Sequence, residues 1–242
     1  MSTTIQYLDF HFIFLLPVLV VGLAASHSRR SVSRVRLAGL AVIVAAALLY
    51  TTPWDNYLIL QGVWWYGEGT VAARIWAAPV EEYLFILGQS VVAGLWTYWI
   101  APDEAPSYGI STAGRVFGVV AGLAVSAVGF ALLTAEATFY MGAILAWAGP
   151  VLAVQWGFGW PYLLRVKREL ATGVAVPTLY FAVADRIAIG HGIWVISPEK
   201  TTGVTVAGLP VEEGAFFFVT TLFLVQGLLL YQWLYERWLG YD

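Results

Sequence analysis

Two identical tetrapeptides hold most of the reactive groups in this chain. Pro79-Val80-Glu81-Glu82 and Pro210-Val211-Glu212-Glu213 lie 131 positions apart, and each opens a long apolar segment. Carboxyls forced together in a medium of low dielectric constant cannot all ionise, so one keeps its proton while another is free to take one. Such a pair offers an acid and a base in one place without a cofactor. Asp55 and Asp185 precede the two tetrapeptides at nearly matching distances. Glu81, Glu82, Glu212, Glu213, Asp55 and Asp185 are therefore the candidate catalytic groups. One Pro-Val-Glu-Glu alone reads better as a plain helix start. Proline in the first turn forfeits no hydrogen bond, and the acids meet the positive end of the helix dipole. Two copies, each with its own aspartate, favour chemistry.

The elements that position these groups are also duplicated. Pro17-Val18-Leu19 matches Pro150-Val151-Leu152, so the order Pro-Val-Leu, Asp, Pro-Val-Glu-Glu occurs twice at nearly constant spacing. That is the mark of an internal repeat. Hydrophobic residues make up 60% of the chain and charged residues 11%, with a mean hydropathy of +0.76. About 25% charged residues is usual in a soluble domain, so the chain reads as an all-α integral membrane protein. Seven stretches approach or exceed the roughly 20 apolar residues of a spanning helix: 8–25, 37–54, 80–100, 114–134, 139–158, 174–195 and 212–233. The first lacks a basic lead-in and carries Asp9, so it reads as a retained helix. Residues 1–100 and 138–242 form two three-helix repeats within one membrane domain, and 112–135 is a linker helix between them. The odd linker gives both repeats the same orientation, which implies a pseudo-twofold axis along the membrane normal and both tetrapeptides on one side.

Basic residues decide which side that is. Arg29, Arg30, Arg34 and Arg36 lie between the first two spans, Arg165, Lys167 and Arg168 between the fifth and sixth, and Arg237 after the seventh. The opposite loops hold only Arg74 and Lys200. By the positive-inside rule, the chain is a multi-pass protein of the cell membrane with its N-terminus outside and its C-terminus cytoplasmic.

The connections after the two aspartates are long, apolar and aromatic, and are expected to fold back over the carboxyl level as lids or re-entrant segments. Trp54, Trp64, Trp65 and Trp194 crowd that level, with Trp76 nearby. Most of the 16% aromatic residues belong to interfacial belts, but these four are candidates for binding a substrate or facing a transient cation. Seven residues beyond Glu82 and Glu213 stand Gln89 and Thr220, polar positions on the glutamates' own faces. Arg186, directly after Asp185, is expected to pair with it and neutralise it. Asp55, followed by Asn56, is then the freer aspartate to exchange a proton.

Several classes of chemistry have no residues to carry them. The chain has no cysteine, three scattered histidines and no Gly-x-Gly-x-x-Gly turn, so neither a metal centre nor a flavin or nucleotide cofactor is expected. A net charge of −3, with no basic run among aromatics, argues against nucleic acid.

Repeated Pro-x-Glu-Glu motifs on two three-helix units, joined by one extra helix, resemble the lycopene beta-cyclases of the heterodimeric type in their fused, single-chain archaeal form. The resemblance covers nearly the whole chain. It rests on Pro79-Val80-Glu81-Glu82-Tyr83-Leu84-Phe85, on Pro210-Val211-Glu212-Glu213-Gly214-Ala215-Phe216-Phe217, and on Trp54-Asp55 and Ala184-Asp185. It implies acid-catalysed closure of the linear ends of lycopene into beta rings, by way of gamma-carotene to beta-carotene, within the bilayer. A related carotenoid hydratase, a cyclase of longer carotenoids, and a proton-coupled transporter with parallel repeats are the alternatives. A retinal protein is excluded because Lys167 and Lys200 both fall in loops. An intramembrane protease of the Glu-Glu-x-x-x-Arg type is excluded because no arginine follows either glutamate pair at that distance.

Single cysteines placed in this cysteine-free chain test the topology. Positions beside Glu82 and beside Glu213 should both react with a membrane-impermeant thiol reagent added from outside. Opposite accessibility of the two would contradict the parallel arrangement.

Overall fold

A computed structural model describes residues 5–29, 33–102 and 108–238. Arg30, used in the charge argument, and the outermost residues of the two repeats, 1–4 and 239–242, lie outside the described residues. Among the described residues, seven helices are long and apolar enough to cross a membrane: α1 Tyr7–Ser28, α2 Arg34–Leu60, α3 Val80–Ile100, α4 Thr112–Leu132, α5 Phe139–Arg165, α6 Lys167–Gly190 and α7 Val211–Trp238. The sixth departs most from the sequence expectation, since it starts seven residues before 174 and stops at Gly190. Lys167, Arg168 and Glu169 are too polar to be counted in an apolar stretch, yet they form a normal first turn.

The ends of α2 and α6 share one device. Gly62 and Gly192 both adopt a left-handed φ of +68°. Val63 N–H reaches Leu58 O at 3.0 Å and Gly62 N–H reaches Ile59 O at 2.9 Å; Ile193 reaches Ala188 O at 3.1 Å and Gly192 reaches Ile189 O at 3.0 Å. This is the paired closure that glycine permits after a helix. The chain then turns back as a short strand, β1 Trp64–Tyr66 or β4 Trp194–Ile196. These two strands pair antiparallel, Trp64 with Ile196, Trp65 with Val195 and Tyr66 with Trp194. A small hairpin follows each, β2 Arg74–Ile75 with β3 Ala78–Pro79 and β5 Thr205–Val206 with β6 Leu209–Pro210, and delivers the chain into α3 or α7. The folded-back connections are thus short strands and hairpins capping the bundle.

Helices α3 and α7 are the most buried of the seven spans, and α4 is peripheral. Helix α4 packs along α5 through small residues: a methyl group added at Gly122 would collide with the Ala153 backbone, and one at Gly129 with the Ala146 backbone. Ser126 Oγ donates to Ala146 O at 3.0 Å across the same seam. Close backbone approach over glycine and serine is how apolar helices adhere when lipid is as apolar as they are.

Gly122→Ala should therefore push α4 from α5 and cost about 1–3 kcal/mol, the usual penalty for overpacking. It should be seen as a lower unfolding midpoint of the purified protein, with turnover per folded molecule preserved because α4 contributes nothing to the site described next.

Candidate active site

Adjacent residues on a helix point about 100° apart, so the glutamates of each pair face different ways. Glu81 Oε1 accepts from Ala72 N–H at 2.7 Å. Glu212 Oε1 accepts from Thr202 N–H and from Thr202 Oγ, both at 2.7 Å. These two glutamates bind the connection ahead of their own helix and fix the angle at which the helix starts. Their neighbours, Glu82 and Glu213, turn into a pocket of about 40 Å³, where Asp55 and Asp185 join them. Of the six carboxyls expected to converge, the structure brings four into the pocket and sets two behind it as fasteners.

Asp55, Asp185 and Glu213 are buried, and no lysine, arginine or histidine lines the pocket. Four carboxyls in so small an apolar space cannot all be charged. Hydroxyl and indole donors serve them unequally. Glu82 Oε2 accepts from Tyr7 at 2.9 Å and from Tyr66 at 2.8 Å, and Tyr66 in turn accepts from Trp64 Nε1 at 3.2 Å. Burial, then the nearby Glu82 and Asp55, push the Tyr66 hydroxyl well above the usual tyrosine range, so it remains a donor. Asp185 Oδ1 accepts from Trp194 Nε1 at 2.8 Å. Glu213 adjoins Tyr140 and Asp185. Among the described residues Asp55 has no hydrogen-bond donor aimed at it.

The tyrosines are set by the backbone. Tyr7 N–H bonds Thr70 O at 2.8 Å, and Tyr140 N–H bonds Lys200 O at 3.1 Å, so matching loop carbonyls hold the two helix starts. A π-helical turn at His11–Leu15 follows Tyr7 in α1.

The expected ion pair between Arg186 and Asp185 does not form. Asp185 points inward to Trp194, whereas Arg186, one residue on, points to the hairpin, where its Nε donates to Ala207 O at 3.3 Å. Asn56 does the same work in the first repeat, accepting from Ala77 N–H at 2.8 Å and Ala78 N–H at 2.9 Å. The unlike residues Asn56 and Arg186 are thus two solutions to one task.

Of the candidate tryptophans, Trp64 and Trp194 line the pocket. Trp54 stacks on Phe216, with ring centroids 5.7 Å apart, and on Trp147 at 4.6 Å, so it backs the pocket wall. Trp65 points outward and is 47% exposed, as is Trp76 at 65%. Gln89 and Thr220 meet across the bundle, Gln89 Nε2 donating to Thr220 Oγ1 at 3.0 Å. Tyr7, Tyr66, Tyr140, Phe85 and Phe217 also line the pocket and were not anticipated. A signal existed for two of them: Tyr7 and Tyr140 are 133 positions apart, the offset of the matched Pro-Val-Leu segments.

The family model described as lycopene cyclase matches residues 5–100 and 137–234, which leaves α4 outside it. A lycopene beta-cyclase of Halobacterium salinarum is 52% identical over 97% of this chain and 99% of its own. Bifunctional lycopene cyclase/phytoene synthases are more distant. That of Gibberella fujikuroi is 34% identical over 93% of this chain and 40% of its own length, and that of Phycomyces blakesleeanus is 31% identical over 91% and 38%. No solved structure matches. Matched over both repeats and nearly its full length, the chain belongs to the lycopene cyclase family.

Proposed function

We propose that this protein closes the linear ends of lycopene into beta rings, by way of gamma-carotene to beta-carotene, using acid–base chemistry of its own carboxyls without a cofactor. The observation that carries this reading is the pocket where Asp55, Glu82, Asp185 and Glu213 meet under aromatic walls with no basic residue among them. A proton delivered to the terminal double bond makes a tertiary cation at its substituted carbon. The next double bond along the chain attacks that carbon, closing the ring and moving the charge into it. Loss of a ring proton to a carboxylate restores a double bond. One proton enters and one leaves, so no electrons are transferred overall.

The unequal donors assign roles. Two tyrosine hydroxyls solvate negative charge on Glu82, which suits it to take the proton. Asp55, beside it with no donor, suits the proton's delivery. In the second repeat Asp185 has its indole donor, and Glu213 is its acid. Trp64, Trp194 and Phe217 line the pocket, where aromatic rings stabilise a cation, and its volume of about 40 Å³ leaves little room for water beside the substrate end. Proton-coupled transport is less well supported, because these acids sit together at one closed end of the bundle and not along a path through it.

The two units, 1–100 and 138–242, are related in this reading by a pseudo-twofold axis through the contact of Trp65 with Val195. The symmetric register of β1 with β4 supports it, as do the matched helix closures and tyrosine anchors. The N-terminus is placed outside and the C-terminus in the cytoplasm by the charge bias, which puts the acid pocket at the outer face.

In a lycopene-accumulating bacterium, Glu82→Gln, Glu213→Gln and Asp55→Asn should each lose about 10²–10⁴-fold in cyclisation, the range for a general acid or base, while the protein still inserts. Glu81→Gln and Glu212→Gln keep an oxygen for the loop N–H and should retain turnover, with lower stability. Wild-type pigment from the first three variants would remove the catalytic reading. Purified protein in lipid should cyclise lycopene without added flavin, nucleotide or metal. Dependence on a redox cofactor would show that the proton chemistry is misassigned.

A further inference from the structure

We propose that one apolar groove bounded by α2, α3, α5 and α7 carries the polyene to the acid pocket, and that Phe181 closes the groove's symmetry-related counterpart. This inference rests on the cyclase reading above. A cavity of about 270 Å³ lies directly below the acid pocket, and Phe216 belongs to the walls of both. It continues into a second cavity of about 440 Å³, which shares Ile43, Tyr50, Val151 and Gln155 with it and reaches Trp233 and Leu234. From Phe216 to Leu234 along α7 the groove runs about 27 Å at 1.5 Å per residue, close to the roughly 30 Å hydrocarbon core. Its walls are mainly apolar and aromatic, with Thr51, Gln89, Ser90, Gln155 and Thr220 as the polar exceptions: Tyr50 stacks on Trp147 at 5.5 Å, and Trp147 meets Phe223 at 5.2 Å. A long, narrow, apolar trough that ends at a cluster of acids fits a linear polyene with one end among the carboxyls.

The internal repeat requires a second such trough, and only its lower part is present. A cavity of about 310 Å³ between α1, α3 and α6 is lined by Val18, Val176, Pro177 and Tyr180, which match Val151, Ala46, Ala47 and Tyr50 of the first groove at the repeat offsets. It does not reach the acid pocket. The position matching Thr51, which lines the open groove, is Phe181, 1% exposed. Phe181 packs edge-on to Phe85 at 5.8 Å and against Phe217 at 6.1 Å, and it fills the place where the first groove is hollow. Two acid pairs are therefore served by one entrance. With the polyene lying along α7, its far end is at the opposite face of the bilayer. The two ends are then closed in separate visits, with release of the monocyclic intermediate between them.

The test compares purified Thr51→Phe, Ala47→Phe and Val176→Phe proteins with wild type in lycopene-loaded vesicles. Thr51→Phe and Ala47→Phe should lose at least tenfold in turnover and in quenching of tryptophan fluorescence by bound lycopene. Val176→Phe, in the closed counterpart, should match wild type in both. Full turnover of both phenylalanine variants in the open groove, with wild type active, would overturn the groove assignment and leave the cyclase reading intact. An inactive wild type would instead defeat the cyclase reading itself. A chase of isotopically labelled lycopene with unlabelled gamma-carotene should dilute the label in the dicyclic product. Undiluted label would overturn the release step.

Discussion

Bringing Asp55, Glu82, Asp185 and Glu213 into one pocket without a compensating cation is the constraint on which the rest of this fold depends. Each carboxyl removed from water and left unpaired costs several kcal/mol, so the arrangement survives only if protons and neutral donors take the place of cations. Tyr7, Tyr66 and Trp194 are those donors. They come from three different segments: the start of α1 and the two strands that follow α2 and α6. The β1–β4 pair, the two hairpins and the loop carbonyls that anchor Tyr7 and Tyr140 hold these segments over one end of the bundle.

In the proposed two-repeat reading, duplication is what assembles such a site. Three fastenings in one half have counterparts in the other: the glycine closure, the glutamate that binds the preceding loop, and the side chain that holds the hairpin. Departures from the pattern are then informative. Ile196 occupies the position equivalent to Tyr66 at the offset of 130, so Glu82 has a hydroxyl that Glu213 lacks. Phe181 occupies the position equivalent to Thr51, which in the proposed reading leaves one flank hollow and the other filled. In the proposed reading, these two exchanges give a twofold scaffold distinct acids and a single approach.

Much of this was legible in the sequence, for physical reasons that differ from element to element. The seven spans follow from hydropathy because lipid imposes a minimum apolar length, and the carboxyls follow from the cost of placing acids beside such spans. Helix α6 was displaced because its first turn is charged and its apolar run continues past Gly192 into a strand. The strands themselves were not legible, since β1 is three residues long and its partner lies 130 positions away. The difference between Glu81 and Glu82 depends on helical phase relative to a hairpin, which composition does not encode. Arg186 was misread because the nearest acid in sequence is not the nearest acceptor once the helix turns it toward Ala207.

The central claim, that a carboxyl of this pocket gives its proton to the polyene, is tested most directly by a single turnover in heavy water. The protein is first equilibrated in that solvent and then mixed with lycopene at a concentration below its own. The account predicts one deuterium retained for each beta ring formed, read by mass spectrometry of the product. Beta rings formed without solvent deuterium would contradict it.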